Sequence, residues 1–114
     1  MRIAIIGSSQ YYDRMADCAN RLRNEGHYVT TPHLDIDFHG LDAPELALMR
    51  ANLENIKFAD KVIVFWDGRS PGTWGDICMS FSLGKPIEIG YLEPLSCVDF
   101  LKQYAGLGAA HAQE

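Results

Sequence analysis

The sequence lacks any long apolar run, and this limits what the protein can be. A helix that crosses a bilayer needs about 20 consecutive apolar residues, and no stretch of the 114 residues approaches that length. The opening MRIAIIGSS has only a short apolar run before Gly7, so it is typical of a first strand and not of a secretory signal. We therefore expect no membrane partner and a cytoplasmic protein.

Cysteine and clustered positive charge are also scarce. The three cysteines, Cys18, Cys78 and Cys97, form no C-x-x-C pair and leave an odd one over, which favours reduced thiols over a disulfide framework or a zinc site. The net charge is −5 and no Lys/Arg cluster occurs. Because affinity for polymeric nucleic acid depends on neutralising phosphates, we expect no such partner. Any anionic ligand must be held by a few local groups.

The order of apolar patterns predicts an α/β fold. Short β-branched or continuously apolar runs at 2–6, 28–31, 62–66 and 87–91 read as strands, and segments with helical periodicity lie between them. This alternation predicts a mainly parallel sheet of four to five strands with helices on its faces. We expect one domain over residues 1–105, with a weak last helix at 98–104, and a tail of small residues at 106–114.

Two loops that follow predicted strands are candidate binding segments, since ligands of open α/β sheets bind beyond the carboxyl ends of the strands. The first is residues 7–12, where small residues let backbone amides approach an anion at a helix start. The second is residues 67–76, which offers glycines for close approach and hydroxyl donors: Gly68, Gly72, Gly75, Ser70 and Thr73. Neither loop is a G-x-x-x-x-G-K-[ST] loop or a full G-x-G-x-x-G fingerprint. The loops therefore indicate a small polar ligand, with no support for an ATPase or an ordinary NAD dehydrogenase.

Asp76 allows two interpretations on spacing alone. Thr73 and Asp76 have the spacing of a capping box, which favours a structural role. A carboxylate in the first turn of a helix could also face a cleft, where the helix dipole would hold its pKa low and keep it ionised. An ionised carboxylate suits a nucleophile better than an acid.

Other acidic and histidine residues have ordinary explanations. Asp60 and Asp67 both stand where a turn would favour Asp. The alternating His33, Asp35, Asp37 and His39 are ligand-type residues, but such loops are usually only solvated, and we predict no metal site.

The second loop and the residues after it resemble the sequence pattern of a known family. The segment GTWGDICMSFSLGKPI at 72–87 resembles the nucleoside 2-deoxyribosyltransferase pattern G-[ST]-x-x-E-[LI]-G-x-A-x-x-x-G-K-P, with Asp76 at the position of the nucleophilic Glu. ADKVIV at 59–64 resembles the A-D-x-V-V-V strand of that family, and IAIIGS at 3–8 is similar to the phosphate-contacting first loop of its nucleotide-hydrolase branch. The resemblance implies a Rossmann-like three-layer α/β/α sandwich, cleavage or transfer of an N-glycosidic bond, and a homo-oligomer.

The same resemblance implies roles for individual residues. Asp76 would be the nucleophile and Asp60 the acid that protonates the departing base. A nucleoside or nucleotide, the expected small-molecule partner, would be held by Gly7, Ser8, Ser9, Asp67, Gly68, Ser70, Gly72 and Thr73, and Tyr11 or Trp66 would flank its base. No cofactor and no metal are implied. The chain departs from the pattern in having Asp at 76 in place of Glu, and Ser at 70 where the transferases often carry Asp.

A second resemblance implies binding without catalysis. FWDGRSPGT at 65–73, followed by LGKP at 83–86, is similar to the F-W-D-G-x-S-x-G-T…G-K-P signature of SLOG-type Rossmannoid domains. Those domains are regarded as binders or sensors of nucleotide derivatives, in which case Asp76 would only cap its helix. A third interpretation is an interaction module with a vestigial cleft.

Overall fold

The computed structural model describes residues 1–32 and 44–93, which form a parallel sheet flanked by helices. The elements are β1 (Arg2–Gly7), α1 (Tyr12–Asn24), β2 (Tyr28–Thr30), α2 (Pro44–Phe58), β3 (Lys61–Trp66), α3 (Pro71–Ser82) and β4 (Ile87–Leu92), with a short 3-10 turn at Ser9–Tyr11. All pairings are parallel, in the order β2-β1-β3-β4. The predicted α/β class with its parallel sheet is confirmed.

Helices cover both faces of the sheet because alternate residues of β1 and β3 point to opposite sides. Ile3, Ile5, Ile63 and Phe65 pack with one face of α1, which contributes Met15, Ala19 and Leu22. Ala4, Ile6, Val62 and Val64 pack on the other side with Ile56 of α2 and with Ile77 and Met79 of α3. The two clusters make the predicted three-layer α/β/α arrangement.

Sequence signals for helix ends agree with the structure. Gly26, at φ +94, follows the end of α1, and Gly84, at φ +68, follows the end of α3. Such positive φ values are readily adopted by glycine, which explains both stops. The predicted helix at 98–104, the tail at 106–114 and the histidine and aspartate loop at 33–39 lie outside the described residues.

The pairing of β3 with β4 contains an irregularity that positions the end of β4. The register shifts between Val64 and Phe65, so that Phe65 pairs with Tyr91 and skips Gly90. A Cβ at Gly90 would lie 2.7 Å from the Phe65 ring, so only glycine fits there. The shift brings Tyr91 against Tyr11, with ring centroids 5.0 Å apart.

Within residues 1–32 and 44–93, no helix is both long and apolar enough to cross a bilayer.

Candidate functional site

The loops after β1 and β3 meet at the carboxyl end of the sheet, where the parallel strands finish. Gly7 ends β1 directly beside Phe65, and a Cβ there would lie 2.6 Å from the Phe65 carbonyl oxygen. This close approach lets the amide of Ser8 donate to that carbonyl at 3.0 Å. Glycine at position 7 therefore brings Ser8 close to the loop that precedes α3.

Three hydroxyl groups and one carboxylate form a connected set, which we call the hydroxyl chain: Ser8, Ser70, Thr73 and Asp67. Ser8 Oγ donates to Ser70 Oγ at 3.0 Å and lies 3.2 Å from Thr73 Oγ1. Ser70 Oγ in turn donates to Asp67 Oδ2 at 3.0 Å. Residues separated by more than sixty positions in the sequence thus share one polar cluster, as the two-loop prediction requires.

Asp67 also organises the backbone before α3. Its Oδ1 accepts hydrogen bonds from the amides of Arg69 and Ser70, each at 2.8 Å. Gly68, between Asp67 and Arg69, has φ +75, a turn conformation that favours glycine. Burial acts to raise the pKa of Asp67, but the hydrogen bonds from Ser70 and Arg69 outweigh it and hold that pKa below its usual value. Asp67 is therefore an ionised acceptor at the start of the helix.

Asp76 is a buried carboxylate in the second turn of α3. Asp76 is 9% exposed, and its side chain makes no hydrogen bond or ion pair with any residue of 1–32 or 44–93. Burial raises its pKa from 3.8 to about 6. Such a carboxylate is a candidate functional group, since unpaired buried carboxylates do not stabilise a fold.

Two expectations about Asp76 are wrong. The helix begins at Pro71 with Ser70 as its N-cap residue, because Pro is well suited to the first helical position, so Thr73 and Asp76 do not form a capping box. The pKa of Asp76 is raised and not lowered, because the side chain is buried and lies beyond the first turn, within which the helix dipole mainly acts.

One face of α3 carries both Thr73 of the hydroxyl chain and this carboxylate. Thr73 and Asp76 are three residues apart, a spacing that places side chains on the same side of a helix, and both are buried. Ser80, one turn further, is also buried and donates to the main-chain oxygen of Asp76 at 2.8 Å. This polar, buried face of α3 is the candidate active site.

Aromatic residues flank the loop before α3. The rings of Trp66 and Trp74 stack with centroids 5.4 Å apart and an interplanar angle of 19°. Trp66 also donates from Nε1 to the carbonyl of Ser70 at 3.1 Å, while Trp74 remains 45% exposed. Trp74 was not among the predicted site residues, although its place next to Gly75 in the second loop could have suggested it.

Tyr11 has a different environment from the one expected of a ring that stacks on a base. It is buried, and its hydroxyl donates to Glu93 Oε2 at 2.6 Å. Burial, followed by that hydrogen bond, raises its pKa above the usual value. Glu93 was missed from the sequence because it follows the last predicted strand, with no motif around it. Of the other predicted residues, Ser9 is exposed in the 3-10 turn and Gly72 is exposed in the first turn of α3.

Asp60 lies at the opposite, amino end of the sheet. It precedes β3, a strand of six residues that spans about 20 Å. Its Oδ2 accepts from the amide of Arg2 at 2.8 Å and its Oδ1 from the Arg2 guanidinium at 2.9 Å. These side-chain and backbone hydrogen bonds lower its pKa from 3.8 to about 2. Asp60 is therefore ionised and lies at the opposite end of the sheet from the two loops, which argues against its expected role in protonating a base beside Asp76 of the same chain.

A cavity of about 350 Å³ lies elsewhere, between α1 and the β3–β4 part of the sheet. Its charged lining is mixed: Arg14, Arg21, Asp17 and Glu88. Arg14 is already placed over the ring of Tyr91, 4.1 Å from its centroid. Neither Asp76 nor any member of the hydroxyl chain lines this cavity, so we assign no ligand to it. Among the described residues, no group of three or more histidine, cysteine or acidic side chains could hold a metal ion.

A solved structure has the same arrangement of elements. It is a 2-deoxyribosyltransferase from the psychrotolerant bacterium Bacillus psychrosaccharolyticus, with a TM-score of 0.69 over 90% of this chain and 82% of that one. This chain has the fold of a 2-deoxyribosyltransferase. The sequences are 19% identical, so the likeness to that transferase concerns the fold alone. No family model matches the sequence, and no curated protein matches it.

Proposed function

We propose that the protein binds a nucleoside or nucleoside 5′-monophosphate and cleaves or transfers its N-glycosidic bond. The observation that carries this proposal is Asp76, a buried carboxylate that lacks a partner among the described residues and shares a helix face with Thr73 of the hydroxyl chain. The fold shared with a 2-deoxyribosyltransferase supports the same class of reaction.

In the proposed reaction Asp76 is the nucleophile. A carboxylate oxygen forms a bond to the anomeric carbon, the C–N bond breaks, and the base leaves with the bonding electrons. Water, or a second base, then attacks the same carbon and releases Asp76. A pKa of about 6 leaves the carboxylate mostly ionised at pH 7, as attack requires. The departing base takes its proton from solvent, because Asp60 is at the other end of the sheet.

The neighbouring side chains would orient the substrate. The oxygens of the hydroxyl chain hold the sugar, and the exposed ring of Trp74, supported from behind by Trp66, lies against the base. Tyr11 is not available for that role because it is buried against Tyr91 and bonded to Glu93. Its function in this proposal is to fix the end of β4 beside the site.

We further propose that two or more copies assemble, in the cytoplasm. Ile87 and Ile89 pair with Val62 and Val64, so they point to the side of the sheet that α2 and α3 cover. Ile89 is nevertheless 63% exposed, and Phe81 of α3 is 79% exposed. A second copy would bury these side chains. Light scattering should show an oligomer for the wild type and a smaller species for Phe81→Glu; a monomeric wild type would contradict the assembly.

The test of the reaction compares three proteins on a panel of ribo- and deoxyribonucleosides and their 5′-monophosphates. We expect free base from the wild type and from the control Asp60→Ala. This control also removes an aspartate carboxylate, but one that lies far from the site. Asp76→Ala should release none while retaining the thermal shift that ligands cause. Base release by Asp76→Ala at the wild-type rate would rule out Asp76 as the nucleophile.

A non-catalytic binder of nucleotide derivatives, similar to SLOG-type domains, is the second candidate. It is favoured by the loop before α3, where Asp67, Ser70 and Ser8 are already held by hydrogen bonds that do not involve Asp76. A site built in this way needs no nucleophile. Equal thermal shifts for the wild type and Asp76→Ala, with no free base from either, would support this function over the first.

A further inference from the structure

We propose that Asp67 determines which ligand the site prefers, by making the hydroxyl chain an acceptor of hydrogen bonds that favours a sugar hydroxyl over a phosphate. This inference rests on the proposed function, because it takes the ligand to be a nucleoside or its 5′-monophosphate. It concerns a choice between the two that the proposed function leaves open.

The direction of the hydroxyl chain follows from its carboxylate. Each hydroxyl has one proton to donate, whereas an ionised carboxylate can only accept. The Ser70 proton goes to Asp67, and the Ser8 proton goes to Ser70. Since Ser8 has no second proton, the contact between Ser8 and Thr73 is made by a proton from Thr73. All three protons are therefore used within the chain, and every hydroxyl oxygen keeps at least one lone pair.

A hydroxyl oxygen whose proton is already used can only accept a hydrogen bond, and this suits one kind of ligand group. A sugar hydroxyl can donate to such an oxygen, whereas a phosphate at pH 7 carries a charge of roughly −1.5 to −2 and needs donors. Tyr11, a further hydroxyl at this end of the sheet, also donates to a carboxylate, that of Glu93. These four hydroxyl groups, of Ser8, Ser70, Thr73 and Tyr11, are thus arranged to receive protons.

Asp67 also lies beside the position that an anionic ligand would take. The N-terminus of a helix attracts anions through its free amides and its dipole. Here the carboxylate of Asp67 already accepts from the amides of Arg69 and Ser70 immediately before α3. A phosphate at the same point would meet a like charge. Arg69 is exposed and cationic and would favour a phosphate. The hydroxyl chain and Asp67 together outweigh this attraction.

Asp67→Asn tests the inference because it changes the direction of the chain with little change of shape. The amide oxygen can still accept from the backbone, but the amide nitrogen would donate to Ser70. The Ser70 proton would then turn to Ser8, the Ser8 proton to Thr73, and the Thr73 proton would become available to a ligand. We expect the ratio of Kd values, 5′-monophosphate to nucleoside, to fall about tenfold or more, as a new hydrogen bond to a charged group implies.

The matched control separates the effect of hydrogen-bond direction in the hydroxyl chain from the effect of the lost Asp67 charge. Asp67→Asn removes a negative charge in any background, but in Ser70→Ala the chain is already broken. We expect a clearly larger change of the Kd ratio when Ser70 is present. An equal change in both backgrounds would overturn the role of the hydroxyl chain. Melting curves of each variant check its folding, and the preference of the wild type is an independent test if a variant does not fold.

Calorimetry on the full chain with matched pairs, such as a deoxynucleoside and its 5′-monophosphate, distinguishes the possible failures. Tighter binding of the nucleoside to the wild type supports the inference. Tighter binding of the monophosphate would overturn it while leaving the proposed function intact. Binding of neither compound would overturn the proposed function itself, and the inference with it.

Discussion

The two ends of the sheet carry aspartates in opposite situations. Asp60, at the amino end, has a side chain that is 42% exposed, is paired with Arg2, and has its pKa lowered to about 2. Asp76, at the carboxyl end, is 9% exposed, lacks a partner among the described residues, and has its pKa raised to about 6. The same side chain thus contributes to stability at one end and opposes it at the other. A group that costs stability where it stands is more informative about function than one that is paired.

The largest effect expected from this difference between Asp60 and Asp76 is on the pH dependence of base release. If ionised Asp76 attacks the sugar, kcat/KM should fall about tenfold per pH unit well below 6, or roughly fiftyfold between pH 6 and pH 4. Rates measured from pH 4 to 8, with circular dichroism to confirm folding, provide the profile. Asp60→Asn is the control and should give the same profile, because Asp60 titrates near 2. A flat profile down to pH 4 would contradict the assignment.

The next largest effect is expected from glycine substitutions at the two ends of the sheet, where Gly7→Ala and Gly26→Ala should lower stability by different amounts. Gly7→Ala would place a Cβ within 3 Å of Phe65 and Met15, so we expect a loss of about 2–3 kcal/mol from overpacking. Gly26, in the loop before β2, has φ +94 with open space around the missing Cβ. Gly26→Ala should therefore cost only the backbone strain, about 1 kcal/mol. Urea unfolding of both variants measures the two losses, and equal values would contradict the close approach at Gly7.

The sequence predicted the fold better than the environment of its charges. Strands such as β3 and the stops at Gly26 and Gly84 depend on local patterns, and they were predicted correctly. The ligand loops at Ser8 and Ser70 were brought together as expected, because parallel strands end on the same side.

Burial and pairing were not predictable in the same way. The pKa of Asp76 depends on what covers it, and that of Asp60 on Arg2, a residue 58 positions away. Neither contact leaves a periodic signal in the chain. The position of Asp76 in its helix was also misjudged, since Pro71 and not Thr73 begins α3. Site residues were thus easier to name than to characterise.

Removing the charge of Asp76 should stabilise the protein. Its pKa is raised above the unfolded value of 3.8, so its protonated form favours the fold; that contribution is complete below about 3.8 and is lost as pH rises through about 6. Asp76→Asn cannot ionise and should be more stable than the wild type by about 2 kcal/mol at pH 7, allowing for partial access of solvent. Urea unfolding at pH 7 and pH 4 tests this, since the difference should shrink at pH 4. A less stable variant at pH 7 would show that ionised Asp76 has a stabilising partner.

The smallest effect is expected at the amino end, with the opposite sign. Because Arg2 lowers the pKa of Asp60 to about 2, the ionised form favours the fold; its contribution is present above about 3.8 and is lost as pH falls through about 2. Asp60→Asn should therefore be slightly less stable than the wild type at pH 7, and the difference should diminish in high salt because the pair is exposed. Urea unfolding at low and high salt measures it. A loss greater than that of Gly26→Ala would mean that the pair with Arg2 holds β1 and β3 together more strongly than an exposed ion pair can.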